Sequence, residues 1–276
     1  NGRVTVVNTG GVYASQYNKY GYGAYGIVAS ADGDAAVYNR EGSSITVDSA
    51  GAASGAVALS FAGNSNVSNA GDITVSNDAI AYYGAYGIVS FAANGYAGAG
   101  NLGNIDVTSK YVGVGIDVEG MDGASAGNRG DISVDAWRAY GLRVESGLGD
   151  VVVENEGSIS ATYSGTFFGG TAFGMLGTSE EGNVTLYNRG GDITTSVSGQ
   201  SVGIFAQSGQ GNAVAINVSG SISASSYDGY AVGLVARADE GFSSIANFGG
   251  GSITAYSAYG YAIGMLGTGD GVGASN

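Results

Sequence analysis

Asn128-Arg129-Gly130-Asp131-Ile132-Ser133-Val134 is one copy of a pattern, Asn-x-Gly-x-Ile-x-Val, that returns along the whole chain. Its asparagine recurs at Asn8, Asn39, Asn69, Asn101, Asn128, Asn155, Asn188, Asn217, Asn247 and Asn276. The successive spacings are 31, 30, 32, 27, 27, 33, 29, 30 and 29 residues. A period near 30 with no fixed length marks a solenoid, in which each repeat is one turn of chain and insertions are taken up in loops.

Each repeat holds three short apolar runs. The first follows the Asn and Gly, is led by Val12, Ile45, Ile73, Ile105, Ile132, Ile159, Ile193, Ile222 and Ile253, and alternates with Ser, Thr or Asp. Alternation with period two is the signature of a strand. The second run is Ala-Tyr-Gly-Ile and its variants, led by Ile27, Leu59, Ile88, Ile116, Leu142, Met175, Ile204, Leu234 and Met265. The third ends on the next Asn, as in Val37-Tyr38-Asn39. Three strands per turn predict an all-β, right-handed parallel β-helix of about nine coils of roughly 27–34 residues, one domain over 1–276. Equivalent strands stack about 4.8 Å apart, giving a rod of roughly 43 Å. The ten asparagines are then a structural ladder, each amide bonding the one above and below. Gly comes two residues after the Asn in seven of nine coils and three after it at Gly42 and Gly220, which predicts corners with positive φ.

Composition narrows the function. The 276 residues include 53 Gly but no Cys, Pro or His, and 23 acids against 9 bases give a net charge of −14. Missing proline suits ladders that cannot spare a donor. Missing histidine removes the commonest general base and the commonest neutral metal ligand. The acidic balance argues against nucleic acid and anionic membranes as partners. No apolar run reaches bilayer length, no leader opens the chain, and no polar cap closes it, which predicts a fragment of a longer array.

Several residues stand out from the repeat. Tyr13, Tyr17, Tyr20, Tyr22, Tyr82 and Tyr83 cluster where the spacing between first and second runs varies most. They form a contact rim or fold back over the rod. The second run is apolar on both faces. Gly26, Gly87, Gly115, Gly141, Gly174, Gly203, Gly233 and Gly264, with Ala58 in coil two, are expected to face outward beside Val28, Val89, Leu176, Phe205, Val235 and Leu266, as a stripe for self-association. Asp117 and Arg143 hold equivalent positions and predict an ion pair, and Glu119 stacks on Glu145. With Asp122 nearby, Asp117, Glu119, Asp122 and Glu145 are candidate Ca²⁺ ligands, against the plainer reading of a solvated acidic patch. Arg129-Gly130-Asp131 follows from the repeat itself, with Arg at a free position, and is not expected to be a recognition tripeptide. The row from Thr46 and Thr74 through Asp106, Ser133, Ser160, Thr194 and Ser223 to Thr254 reads as cross-strand bonding.

Asn69-Ala70-Gly71-Asp72-Ile73-Thr74-Val75, Ala85-Tyr86-Gly87-Ile88 and Asn155-Glu156-Gly157-Ser158-Ile159 carry a resemblance to the passenger regions of bacterial autotransporters and related type V secreted adhesins. The resemblance spans the whole chain. It implies a right-handed parallel β-helix, export to the bacterial outer surface or medium, and adhesion, aggregation or biofilm formation. The expected function is a structural and adhesive rod that associates with itself, with other surface proteins or with glycans, without catalysis or a cofactor in this segment. Two alternatives stand beside it: a carbohydrate-binding or polysaccharide-degrading β-helix of the pectate-lyase kind, and a filament subunit that polymerises head to tail.

Overall fold

A computed structural model describes residues 2–18, 23–78, 83–165 and 168–276. Among them there is no helix, and the strands form three parallel sheets of ten, nine and nine strands. The sheets take one strand each from every turn, so each strand pairs with its equivalent one coil away. The Asn sheet is built from strands such as Ala35–Asn39, Gly123–Asn128 and Val184–Asn188. The Ser/Thr sheet follows, with strands such as Ser44–Ser49, Ile105–Ser109 and Ile193–Val197. The glycine sheet closes the turn with longer strands such as Gly84–Ala92, Val112–Gly120 and Arg138–Ser146.

The core follows from alternation. Ile45, Ile73, Ile105, Ile132, Ile159, Ile193 and Ile222, each no more than 2% exposed, form a column inside the Ser/Thr sheet. Val47, Val75, Val107 and Val134 form a second column two residues further on. One buried cluster continues from Ala24 to Ile245. Each buried Ile contributes roughly 1.5–3 kcal/mol, but only because the next coil covers it.

The polar stitches lie at the corners. All nine Asn steps are made, Nδ2–H to Oδ1 at 2.6–3.0 Å, from Asn8 to Asn276. The second amide hydrogen of Asn69, Asn101, Asn128 and Asn155 goes to the carbonyl oxygen of its own corner glycine at 2.7–2.8 Å. Buried Asn is tolerated here because the ladder satisfies its donors and acceptor. The corner glycines depart from expectation. Positive φ occurs at Gly42 (74°), Gly220 (88°) and Gly249 (58°), and not at Gly71, Gly103, Gly130 or Gly157. What these four lack room for is a side chain. A Cβ on Gly103 would fall onto the Gly71 carbonyl oxygen, and one on Gly130 onto that of Gly103. Glycine stacks on glycine because backbone approaches backbone there.

The other two corners carry a second motif, Ser-x-x-Gly, which the repeat pattern did not bring out. Ser60, Ser179 and Ser208 accept from Gly63, Gly182 and Gly211 N–H, and donate to glycine carbonyls of the preceding coil at 2.7–2.9 Å. Ser226 and Ser257 do the same between the Ser/Thr and glycine sheets. Each hydroxyl closes its own turn and ties it to the coil before.

The glycine sheet corrects the expected orientation of its glycines. Gly87 and Ile88, Gly115 and Ile116, and Gly141 and Leu142 are buried as adjacent pairs. The ladder steps over the glycine, pairing Tyr86 with Val114 and then Ile88 with Ile116. The alternation therefore slips by one residue and the strand bends. Gly26, Gly87, Gly115, Gly141, Gly174, Gly203 and Gly233 turn inward. A Cβ on any of them would collide with an Ile Cγ2 of the next coil, and with the next glycine's carbonyl oxygen at 2.5–2.6 Å. They are space for the Ile column, not a surface; Gly264, in the last coil, is exposed. In coil two the register is Gly55 and Ala56, with Ala56 paired to Ile27 and Ile88. Leu59, expected to lead that strand, instead stands in the outward row with Phe91, and Ala58 is buried.

Candidate contact surfaces

The outer side of the glycine sheet changes character along the rod. In its middle coils the expected ion pair is present and bidentate. Arg143 Nε donates to Asp117 Oδ1 at 2.7 Å and Nη2 to Oδ2 at 2.5 Å. Burial opposes the Arg143 charge, but the bond to Asp117 together with the negative charges of Asp117 and Glu145 outweighs it, and the guanidinium is held protonated. Glu119 pairs in register with Glu145, as the spacing predicts. Burial first, with Asp117 and Glu119 adding to it, pushes the Glu145 carboxyl above its ordinary value despite Arg143. Both Asp117 oxygens are engaged by Arg143. Among the described residues no three Asp, Glu, His or Cys side chains gather closely enough to hold a metal ion. Asp117, Glu119, Asp122 and Glu145 therefore do not converge as the Ca²⁺ reading needs.

Towards the later coils the same outer side is apolar. Val202, Val232 and Val235 are buried outside the main core, packed with Phe173, Phe205 and Ile263. Phe173 and Phe205 meet edge to face at 5.9 Å, and Phe173 stacks on Tyr140 at 5.6 Å. Of the outward residues the sequence singled out, Leu176 pairs with Phe205, Phe205 with Val235, and Val235 with Leu266. Val28 and Val89 continue this row in the early coils. Phe173, Val202 and Val232 complete the patch. The sequence shows them as the second apolar row of the strand, but the slip at the glycine was needed to place both rows on one side. Tyr230 and Tyr261 border the patch, and Tyr261 is 78% exposed.

The corner between the Ser/Thr and glycine sheets takes the insertions, as expected. Its connections run from two to eight residues. Tyr17 is exposed there and Tyr13 is exposed on the outer face of the strand Gly11–Gln16 before it, with hydroxyl oxygens 3.2 Å apart, and this bond raises the Tyr13 pKa. Tyr83 is also exposed. Tyr20, Tyr22 and Tyr82 lie outside the described residues. The rim extends into coils the sequence reading passed over. Tyr111 stacks on Trp137, with ring centres 5.2 Å apart, and Tyr227 meets Tyr259 at 5.1 Å. The signal was available: Trp137 is the single tryptophan in the chain and sits in the insertion-prone corner.

Arg129 is tied to Glu156 at 3.0 Å, and Gly130 packs on Gly103, so the Arg-Gly-Asp stretch is part of a stacked corner. The Ser/Thr row lines up in register, Thr46 with Thr74, Asp106 with Ser133 and Thr194 with Ser223. Hydroxyl-to-carboxylate bonds link coils on this face. Ser76 donates to Asp48 at 2.7 Å and Ser221 to Asp192 at 2.7 Å, and the latter lowers the Asp192 pKa.

These features define a parallel β-solenoid of about nine turns, repetitive inside and varied outside. Comparison of the chain with family models, with curated proteins and with solved structures finds no match.

Proposed function

We propose that this chain is a non-catalytic contact rod, displayed on a bacterial surface or secreted as an autotransporter passenger is, and that it associates side by side through the glycine sheet. One observation carries the reading. Half-buried Phe173, Phe205 and Ile263 pack with buried Val202, Val232 and Val235, and with exposed Leu266 beside Val235 they make an apolar cluster on the outside of a rod whose core is already complete. A solvated sheet face alternates with polar residues, and a contiguous apolar patch of this kind is a surface for a partner. A second rod supplies a surface of the same length and period, so many weak contacts add along the axis. The missing histidine and the Arg143-bound Asp117 support a role without chemistry. Sedimentation velocity over a concentration series, with electron microscopy of the same samples, tests the proposal. Side-by-side pairs or bundles are expected, and Phe205→Ser with Leu266→Ser should leave single rods. Single rods of the unchanged protein at every concentration would overturn it.

A further inference from the structure

Four outward rows cross the strands of the glycine sheet. In the strand Arg138–Ser146 they are filled by Arg138, Tyr140, Arg143 and Glu145. In the strand Gln200–Ser208 the same places hold Gln200, Val202, Phe205 and Gln207. The two inner rows run from Tyr25 and Val28 in the first coil to Ile263 and Leu266 in the last. They are apolar throughout except for Ser54 and the closed Asp117–Arg143 pair.

The outer rows carry charges without partners. Arg138 is exposed, with its guanidinium over the rings of Tyr111 and Trp137, and among the described residues no carboxylate pairs with it. Glu145, at the other end of the same strand, is half-buried and stacks on Glu119. Arg143, two residues before it, is bonded to Asp117 instead. Arg138 and Glu145 stand about 20 Å apart along the strand, too far to meet within one rod.

A second rod brings them together. A two-fold axis parallel to the rod, between the inner rows, lays each outer row on the opposite outer row of the partner, coil against the same coil. Arg138 then faces Glu145 of the partner subunit, and Glu145 faces its Arg138. Gln200 meets Gln207 of the partner subunit, Phe173 meets its Leu176, and Val202 meets its Phe205. A face about 20 Å wide and about 43 Å long presents roughly 850 Å² per rod, the size of a standard stable interface. The antiparallel alternatives do worse. The strand Arg138–Ser146 is the fifth of nine in the sheet, so an antiparallel pair matched over its full length sets Arg138 on Arg138 and Glu145 on Glu145. Sliding the rods until Glu145 meets Arg237 reaches a guanidinium that Asp239 already holds at 2.8 Å. It also leaves the first three strands, with Tyr25, Val28, Tyr86 and Val89, uncovered.

We infer that two copies of this chain pair through their glycine sheets as a parallel, in-register two-fold dimer, with Arg138 of each rod bonded to Glu145 of the partner subunit. The inner rows supply the affinity, and the two ion pairs fix the register. An isologous contact uses the same face on both rods, so growth stops at two. The inference rests on the reading of the glycine sheet as the association face and adds the partner's orientation and the stoichiometry.

Sedimentation velocity should show dimers that grow no further with concentration. Arg138→Glu and Glu145→Arg should each raise the dimer Kd about tenfold, and the two together should return it to within about threefold of the original. Arg138 is exposed, so Arg138→Glu should leave the melting temperature of the single rod in place. The chain has no cysteine, so Thr46→Cys and Thr254→Cys, on the outer row of the Ser/Thr sheet, each take one spin label. Parallel pairing gives both labels the same inter-rod distance by double electron–electron resonance. The slid antiparallel pair would add about 40 Å along the rod at Thr46 and about 25 Å at Thr254. Unequal distances, growth beyond two rods, or a charge swap that fails to restore pairing would overturn this inference and leave side-by-side association standing. Single rods of the unchanged protein at every concentration would overturn both.

Discussion

At the scale of single residues the protein depends on side chains whose partners are copies of themselves. Asn155 is fully buried, receives a bond from Asn128 at 2.9 Å and gives one to Asn188 at 2.8 Å. Asn155→Ala removes one amide and strands two others, so it should cost about 2–4 kcal/mol in urea unfolding. Asn8→Ala, at a ladder position open to water, should cost well under half of that. Glu145 tests the opposite case, a residue placed against its own interest. Its folded pKa lies above the ordinary 4.5 because of burial, so the folded state holds its proton more tightly than the unfolded chain does. Its contribution is therefore favourable at low pH and is lost as pH rises through the ordinary value to the raised one. Glu145→Gln should raise the melting temperature at pH 7 by about 1 °C and have no effect at pH 3, as calorimetric scans at the two pH values would show.

At the scale of the strand, the bend in the glycine sheet sets the cross-section of the coil. Gly141 has the Ile159 side chain and the Gly174 carbonyl oxygen where a Cβ would stand, whereas Gly127 has nothing within 4 Å. Gly141→Ala should destabilise by about 3 kcal/mol, and Gly127→Ala should be neutral or slightly stabilising in the same chemical-denaturation measurement. The glycine row was visible in the sequence, but its direction was not. Strict alternation assigned it to the outside, and one extra residue per strand reverses that assignment. Ser60, Ser179 and Ser208 were legible too, since Ser-x-x-Gly is a local motif. They pass as ordinary loop composition until the preceding coil supplies the carbonyl that each hydroxyl needs.

At the scale of the whole molecule, the same period that builds the core repeats every surface feature along one axis. Weak contacts on the glycine sheet therefore add in register with a second rod. Charge opposes this: with a net −14, two rods repel over distances beyond the contact itself. Raising the salt concentration from 20 to about 300 mM shortens the screening length to well under 10 Å and should increase the associated fraction several-fold by sedimentation. Loss of association on adding salt would mean that ion pairs, not the apolar cluster around Phe205, hold the rods together.

The sequence by itself determined the solenoid, the strand order within each turn, the Asn ladder, the Asp117–Arg143 pair and the corner that collects insertions. Each of these follows from equivalent positions in successive repeats, and a repeat aligns equivalent positions before any coordinate is known. Only the tertiary structure decided which way the glycines face, where coil two slips to Ala56, and how Tyr111 and Trp137 come to stack across adjacent coils. Those outcomes depend on contacts between different sheets of the coil. There the approach of an Ile side chain to a bare backbone, or of one loop to its neighbour, is set by the path of the chain through space and not by its period.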